Sequence, residues 1–238
     1  MSGITRASLT ALAQATQRLR LGTLVTGIHY RHPAVLANMA AALDVISNGR
    51  LELGIGAGWN EEESGAYGIE LGSIKERFDR FEEACEVLVS LLSEETTDFE
   101  GKYYHLKGAR NEPKGPQRPH PPICIGGGGE KRTLRITARY AQHWNFAGGP
   151  PDLFARKRDV LAAHCADIGR DPKEIVRSAH LAWTKTGTTG RSSRTRRGWP
   201  SRGSTWASST FHRRTIPPCW NQWPKRSGIR GFGRSKDK

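Results

Sequence analysis

The sequence predicts an α/β protein organised around a parallel sheet, and three observations carry the prediction. Short apolar runs alternate regularly with stretches whose apolar residues recur at helical spacing. Several of the runs end in glycine or other small residues, the place where strands of a parallel sheet turn into ligand-binding loops. The pattern extends to about residue 184 of 238 and then stops, which divides the chain into a body, 1–184, and a tail, 185–238. Alternation of this kind implies parallel strands joined by right-handed crossovers. Five strands are visible, too few for a closed eight-stranded barrel, and the pattern alone leaves an open sheet and an incomplete barrel as alternatives.

The elements follow in order. Residues 19–25 (LRLGTLV) form a short buried strand. His32 and Pro33 open a helix, with proline at an early position where its missing N–H costs nothing. Leu36, Met39, Ala40, Leu43 and Ile46 continue it at helical spacing, and Gly49 stops it. Residues 50–55 (RLELGI) are the second strand, running into the turn Gly56, Ala57, Gly58. Ile74, Phe78, Phe81, Cys85, Leu88 and Leu92 mark one face of a further helix, and residues 99–106 read as a small hairpin. Residues 122–125 (PICI) are the third strand, ended by four glycines and followed by a helix over 130–141. Residues 143–146 are the fourth strand, 153–168 a helix stopped by Gly169, and 176–183 the fifth strand.

Charge is distributed unevenly. The tail holds 14 Lys and Arg against one acid, Asp237, and so carries +13 of the formal +14. It has no Leu and no Val, yet four of the seven Trp. The basic pI therefore describes the tail and not the body, and nucleic acid is not an expected partner. Four cysteines lie far apart with no metal-ligand spacing, which predicts reduced thiols in a cytoplasmic protein and no metal site. No apolar run approaches the ~18 residues of a membrane span, and the first residues lack the apolar core of a signal peptide.

The segment 21–59, LGTLVTGIHYRHPAVLANMAAALDVISNGRLELGIGAGW, resembles the luciferase-like monooxygenase superfamily, in particular its branch that uses the deazaflavin coenzyme F420. Residues 60–71 (NEEESGAYGIEL), 119–134 (PHPPICIGGGGEKRTL) and 139–146 (RYAQHWNF) resemble the same branch, in the same order. The resemblance implies a (β/α)8 TIM barrel in which the visible strands are the third to the seventh. The first two strands, one of which brings an acidic residue near the cofactor, have no counterpart. The tail does not match either. Read out of frame with GC-rich codon choices, a few of them forced by the genetic code, residues 203–227 become VDLGIVYLPPPHDPAVLEPMAEAL, which suits an eighth strand and last helix. The expectation is thus an incomplete barrel with a disordered basic tail, truncated at the start, frameshifted after about residue 184, and inactive in this form.

Candidate site residues lie at the strand ends. Gly126, Gly127, Gly128 and Gly129 precede a helix, where backbone N–H groups and the helix dipole suit a phosphate; the bland reading is a flexible turn. Glu130 and Arg132 rule out a Walker motif. The run through Gly56, Ala57, Gly58 and Trp59 fails the dinucleotide fingerprint at Trp59, and the resemblance places it beside the cofactor ring and its ribityl chain. The resemblance also puts a backbone bulge at Thr26 and Gly27 behind the ring, possible as a non-proline cis peptide; the alternative is an ordinary strand end. Of Glu61, Glu62 and Glu63, which otherwise read as a solvated helix start, one, assigned as Glu62, is placed near the cofactor's polar groups. His29 or His32 could face the substrate, although His32 serves equally as a helix-entry residue. His143, Trp144 and Asn145 read as strand core. No catalytic residue is assigned. The implied activity is hydride transfer between F420 and a small organic substrate, with a reduced-FMN monooxygenase, or a remnant without function, as alternatives. Members of the family are often homodimers.

Overall fold

The structure, a computed structural model, describes residues 6–180. The tail 185–238 with its expected disorder and shifted frame, Cys219, and the last residues of the fifth predicted strand lie outside the described residues. Helix α1 (Arg6–Ala15) leads into two short strands, β1 (Leu21–Gly22) and β2 (Thr26–Gly27), a 3-10 turn (Ile28–Tyr30) and helix α2 (Pro33–Ile46). Strand β3 (Leu51–Gly56), helices α3 (Glu61–Ala66) and α4 (Ile74–Ser93), and the hairpin β4 (Thr97–Glu100) and β5 (His105–Ala109) follow. Strand β6 (Ile123–Gly126), helix α5 (Thr133–Tyr140), strand β7 (His143–Phe146), helix α6 (Pro151–Asp167) and strand β8 (Val176–Ala179) complete the described part.

Strand order decides between the two architectures left open by the pattern. Both β1 and β2 pair with β3, and β3, β6, β7 and β8 follow side by side, all parallel. The order in space is the order in the chain. A doubly wound open sheet reverses its order at a switch point, whereas a (β/α)8 barrel never does. The helices pack in the same succession, α2 on α4, α4 on α5 and α5 on α6. The fold is a parallel half-barrel with its helices on the outside.

Alternation along the strands sorts side chains onto two unlike faces. Leu51, Leu53 and Ile55 of β3, Ile123 and Ile125 of β6, and Trp144 and Phe146 of β7 face the helices. There they pack with Leu36, Ala40, Phe81, Ala84 and Leu88, and with Leu134, Phe154 and Leu161. The opposite, barrel-interior positions carry Glu52, Gly54, Gly56, Cys124, Gly126, His143, Asn145 and Ser178. The core thus lies between sheet and helices, and the interior is small or polar.

Local chemistry sets the boundaries. His32 caps α2 through Nδ1, which accepts from the Ala34 N–H at 3.2 Å, and Pro33 takes the first helical position. His32 is therefore a helix-entry residue. Gly49, with φ +76°, ends the same segment. Helix α4 starts with a capping box between Ser73 and Glu76 that the apolar spacing does not reveal. Ile74, assigned to its buried face, is 68% exposed because it sits at the first turn, ahead of the stripe that meets the sheet. Helix α5 begins at Thr133, three residues later than expected, since the glycine loop does not join it. The hairpin is tied to α4 by Glu83, whose carboxylate accepts from the N–H groups of Lys102, Tyr103 and Tyr104 at 2.9, 2.9 and 3.2 Å.

The first predicted strand needs correction. Residues 19–25 are not one continuous strand: the ladder stops after Gly22 and resumes at Thr26, and the Leu24–Val25 peptide between them is cis. The reason lies on β3. A Cβ at Gly54 would collide with the Thr23 carbonyl, so only glycine lets the segment sink onto the sheet, where Thr23 Oγ1 donates to the Gly54 carbonyl at 2.8 Å.

Candidate functional site

At the C-terminal ends of the strands lies a cleft of about 560 Å³, within the range of small-molecule sites. Its walls come from five places: the segment after β1, the loop after β3, helix α4, the loop between β6 and α5, and the ends of β7 and β8.

Leu24 and Val25 form one apolar wall, with Phe78 and Phe81 of α4 nearby. Val25 is seated by two glycines: a Cβ at Gly56 would fall 2.9 Å from its Cγ2, and one at Gly126 would fall 3.1 Å from its Cγ1. The bulge expected at Thr26 and Gly27 thus lies two residues earlier, at Leu24 and Val25. Thr26 itself pairs with Ile55 in the sheet and does not line the cleft, whereas Gly27 does. Small residues at Gly54, Gly56 and Gly126 make room for the chain's own bulge.

Gly27 and Gly58 enclose His29. A Cβ on either would come within 2.5 Å of the imidazole, and Gly58 has φ +89°. Ala57, Gly58 and Trp59 line the cleft, Trp59 as an exposed indole at the rim. Asn60 caps α3 by accepting from the Glu63 N–H at 3.0 Å. That cap turns Glu63 towards the cleft, where it accepts from the Tyr30 hydroxyl at 2.6 Å. Glu62 faces solvent and is not among the lining residues, so the glutamate at the cleft is Glu63.

His29 has one nitrogen engaged and one buried without a partner: Nε2 lies 3.2 Å from Ser64 Oγ, and Nδ1 has no hydrogen-bond partner. Burial holds its pKa below the usual 6.5, the Arg77 charge adds to this, and Glu63 opposes it. The unpartnered nitrogen is enclosed between Gly27 and Gly58, so the imidazole is packed into the cleft wall.

The four-glycine loop divides. Gly126 and Gly127 line the cleft; Gly128 and Gly129 lie behind it, against Phe146 and Thr133. Gly127, with φ +122°, gives its N–H to the Asn145 carbonyl at 3.0 Å and takes the Trp144 Nε1–H at 2.7 Å. Its backbone is thus committed to β7, and donors towards an anion must come from further along, where Thr133 opens α5 at the cleft. Arg132 is held away by Asp79 at 2.6 Å.

Beneath the cleft runs a buried polar layer. Arg20 Nε donates to Glu52 Oε1 at 2.8 Å, and Glu52 Oε2 lies 3.0 Å from His143 Nδ1. His143 Nε2 lies 2.7 Å from Ser178 Oγ, which accepts from Asn145 Nδ2 at 2.8 Å. Burial alone would raise the Glu52 carboxyl, but the hydrogen bonds from His143 and Arg20 outweigh it and hold the pKa low. Trp144 is apolar core as expected, while its neighbours His143 and Asn145 belong to this layer, and Asn145 also lines the cleft. Alternation contained the signal: Glu52 stands between Leu51 and Leu53, and Trp144 between two polar residues.

The profile of the luciferase-like monooxygenases matches residues 6–192. The chain belongs to that family. Among its relatives is an F420-dependent glucose-6-phosphate dehydrogenase of Rhodococcus hoagii, 39% identical over 138 residues, which cover 56% of this chain and 38% of the relative. Among solved structures, the F420-dependent tetrahydromethanopterin reductase of Methanopyrus kandleri superposes with a TM-score of 0.68 at 24% identity, over 74% of this chain and 54% of that one. A monooxygenase from Streptomyces bottropensis superposes with 0.66 at 27% identity, over 81% and 61%. This luciferase-like chain spans between 38% and 66% of the length of such curated relatives. Both F420-dependent enzymes and a monooxygenase therefore stand among the proteins it resembles. No helix among the described residues is long and apolar enough to cross a membrane.

Proposed function

We propose that the cleft holds the deazaflavin F420 and serves hydride transfer between it and a small organic substrate. The observation that carries this reading is the apolar platform of Leu24 and Val25, seated on Gly54, Gly56 and Gly126 at the mouth of a half-barrel. A flat ring needs such a wall, and the neighbouring glycines leave no side chain in its way. The residues present fit that group. Gly27, Ala57, Gly58 and Trp59 flank it, with Thr26 and Gly56 shaping the wall from the sheet. The loop Gly126, Gly127, Gly128 and Gly129 leads to the α5 N-terminus, where a phosphate is favoured. Glu63 takes the acidic role first assigned to Glu62. When bound, the deazaflavin supplies the hydride chemistry, and the protein's part is to position it and exclude water.

The likeness to the Streptomyces bottropensis monooxygenase supports a second reading, a reduced-FMN monooxygenase on the same fold. Titrating the full chain with F420 and, separately, with FMN, followed by cofactor fluorescence, decides between them. Tighter F420 binding is expected. Tighter FMN binding installs the second reading, and no binding of either removes both. Replacing Gly127 and Gly128 together by valine should weaken the favoured cofactor at least about tenfold, because Gly127 has φ +122° and a side chain there would be strained.

A further inference from the structure

The polar layer under the cleft contains carboxylate, imidazole and hydroxyl in the sequence of a nucleophile triad: Glu52, His143, Ser178. It is not placed to act as one. Ser178 is 8% exposed and the adjoining cavity is only about 40 Å³, enough for roughly one water. Its hydroxyl is moreover engaged by Asn145 on the side nearer the cleft. The layer is better read as a chain of hydrogen bonds whose direction is fixed at one end.

That direction can be followed atom by atom. Arg20 donates to Glu52 Oε1, so the carboxylate already has a cationic partner and is an acceptor at both oxygens. His143 must then place a proton on Nδ1 to meet Oε2 at 3.0 Å. With the Glu52 charge met by Arg20, one proton on the imidazole suffices, and Nε2 keeps its lone pair. Nε2 in turn accepts the Ser178 hydroxyl proton at 2.7 Å. Ser178 Oγ, having donated, can only accept from Asn145, which fixes the amide with its nitrogen towards Ser178 at 2.8 Å. The Asn145 carbonyl oxygen is the group left to the cleft.

We infer that Arg20, Glu52, His143 and Ser178 are positioning residues that lock the Asn145 amide, making the cleft floor a hydrogen-bond acceptor for a ligand N–H such as the imide of a flavin or deazaflavin ring. The assignment rests on the cofactor reading above for the identity of the ligand, but not for the orientation of the amide. It places an acceptor in the cleft lining at the end of β7. A ligand with an N–H edge is then favoured over one whose nitrogen is methylated, because the buried oxygen would be left unpaired.

Two measurements on the full chain test it. Long-range proton–nitrogen NMR of the ligand-free protein should find the His143 ring neutral, protonated at Nδ1 and bare at Nε2. An imidazolium, or a proton on Nε2 alone, overturns the inference whether or not any cofactor binds. The second measurement compares the affinities of FMN and 3-methyl-FMN. The native chain should prefer FMN about tenfold. Ser178→Ala should bring the preference to within about twofold, since the amide is then free to turn, and Ser178→Thr should restore it. Matching thermal unfolding of the variants excludes a folding defect. A preference that survives Ser178→Ala, or its absence in the native chain, overturns the inference. Failure of both flavins to bind removes only the FMN reading, and the histidine tautomer then decides this inference.

Discussion

Gly54 shows how much one missing methyl group can determine. Its hydrogen faces the Thr23 carbonyl, and the whole bulge that carries Leu24 and Val25 rests on that contact. Gly54→Ala should therefore destabilise the fold by about 1–3 kcal/mol, the usual cost of overpacking. Gly65 is the control: nothing lies within 4 Å of its Cβ position in α3, so Gly65→Ala should stabilise by about 0.5–1 kcal/mol through helix propensity. Urea midpoints of the two variants read the contrast, and equal shifts would refute the account of the bulge. His29 makes a pH prediction. Burial and Arg77 lower its folded pKa below the 6.5 of the unfolded chain. The unfolded state then binds the proton more readily, so stability is full above pH 6.5 and is lost as the pH falls below it towards the folded value. His29→Gln should flatten that part of the stability profile, as compared by denaturant melts between pH 5 and 7.

Elements differ in how their boundaries are encoded. Helix α2 carries its start and stop in adjacent letters, His32–Pro33 and Gly49, and was legible from them. The capping box of α4 is also written locally, as Ser73 and Glu76, although the apolar stripe placed the helix without it. The hairpin is different. Its turn depends on Glu83, 19 to 21 residues away on α4, whose carboxylate collects three backbone N–H groups. Glu83→Ala should loosen the hairpin and cost about 1–3 kcal/mol, with Glu83→Gln recovering part of the loss. Amide exchange at Lys102, Tyr103 and Tyr104 is the readout, and unchanged protection in the alanine variant would deny Glu83 this role.

For the whole molecule, the sequential strand order gives β3, β6 and β7 a helix-covered outer face and an inner face of small or polar residues. The thiols report on this arrangement. Cys85 is fully buried on the core-facing side of α4, Cys165 is buried on α6, and Cys124 faces the small interior cavity. Burial pushes all three thiols up, Cys124 to about 12 and Cys85 well above its ordinary value. Native protein at pH 8 should therefore resist iodoacetamide at these three positions, and urea should expose them together. Peptide mapping that finds Cys85 labelled without denaturant would contradict the helix-covered core.

The sequence by itself determined the α/β class, the helix and strand succession, the family and the clustering of small residues at strand ends, because those properties are carried by neighbours in the chain. Period and capping act over a few residues and need no partner. The tertiary structure alone decided that the strands run in unbroken order, that Glu63 and not Glu62 meets the cleft, and that the bulge lies at Leu24 and Val25. It alone joined Glu52 to His143, 91 residues on, and His143 to Ser178, 35 further, in one hydrogen-bonded line. Glycine at position 54 is silent about what fills its empty side; only pairing β1 and β2 against β3 brings the Thr23 carbonyl there. Contacts between distant segments depend on register and backbone path, and one residue of slip reverses the face on which every side chain falls.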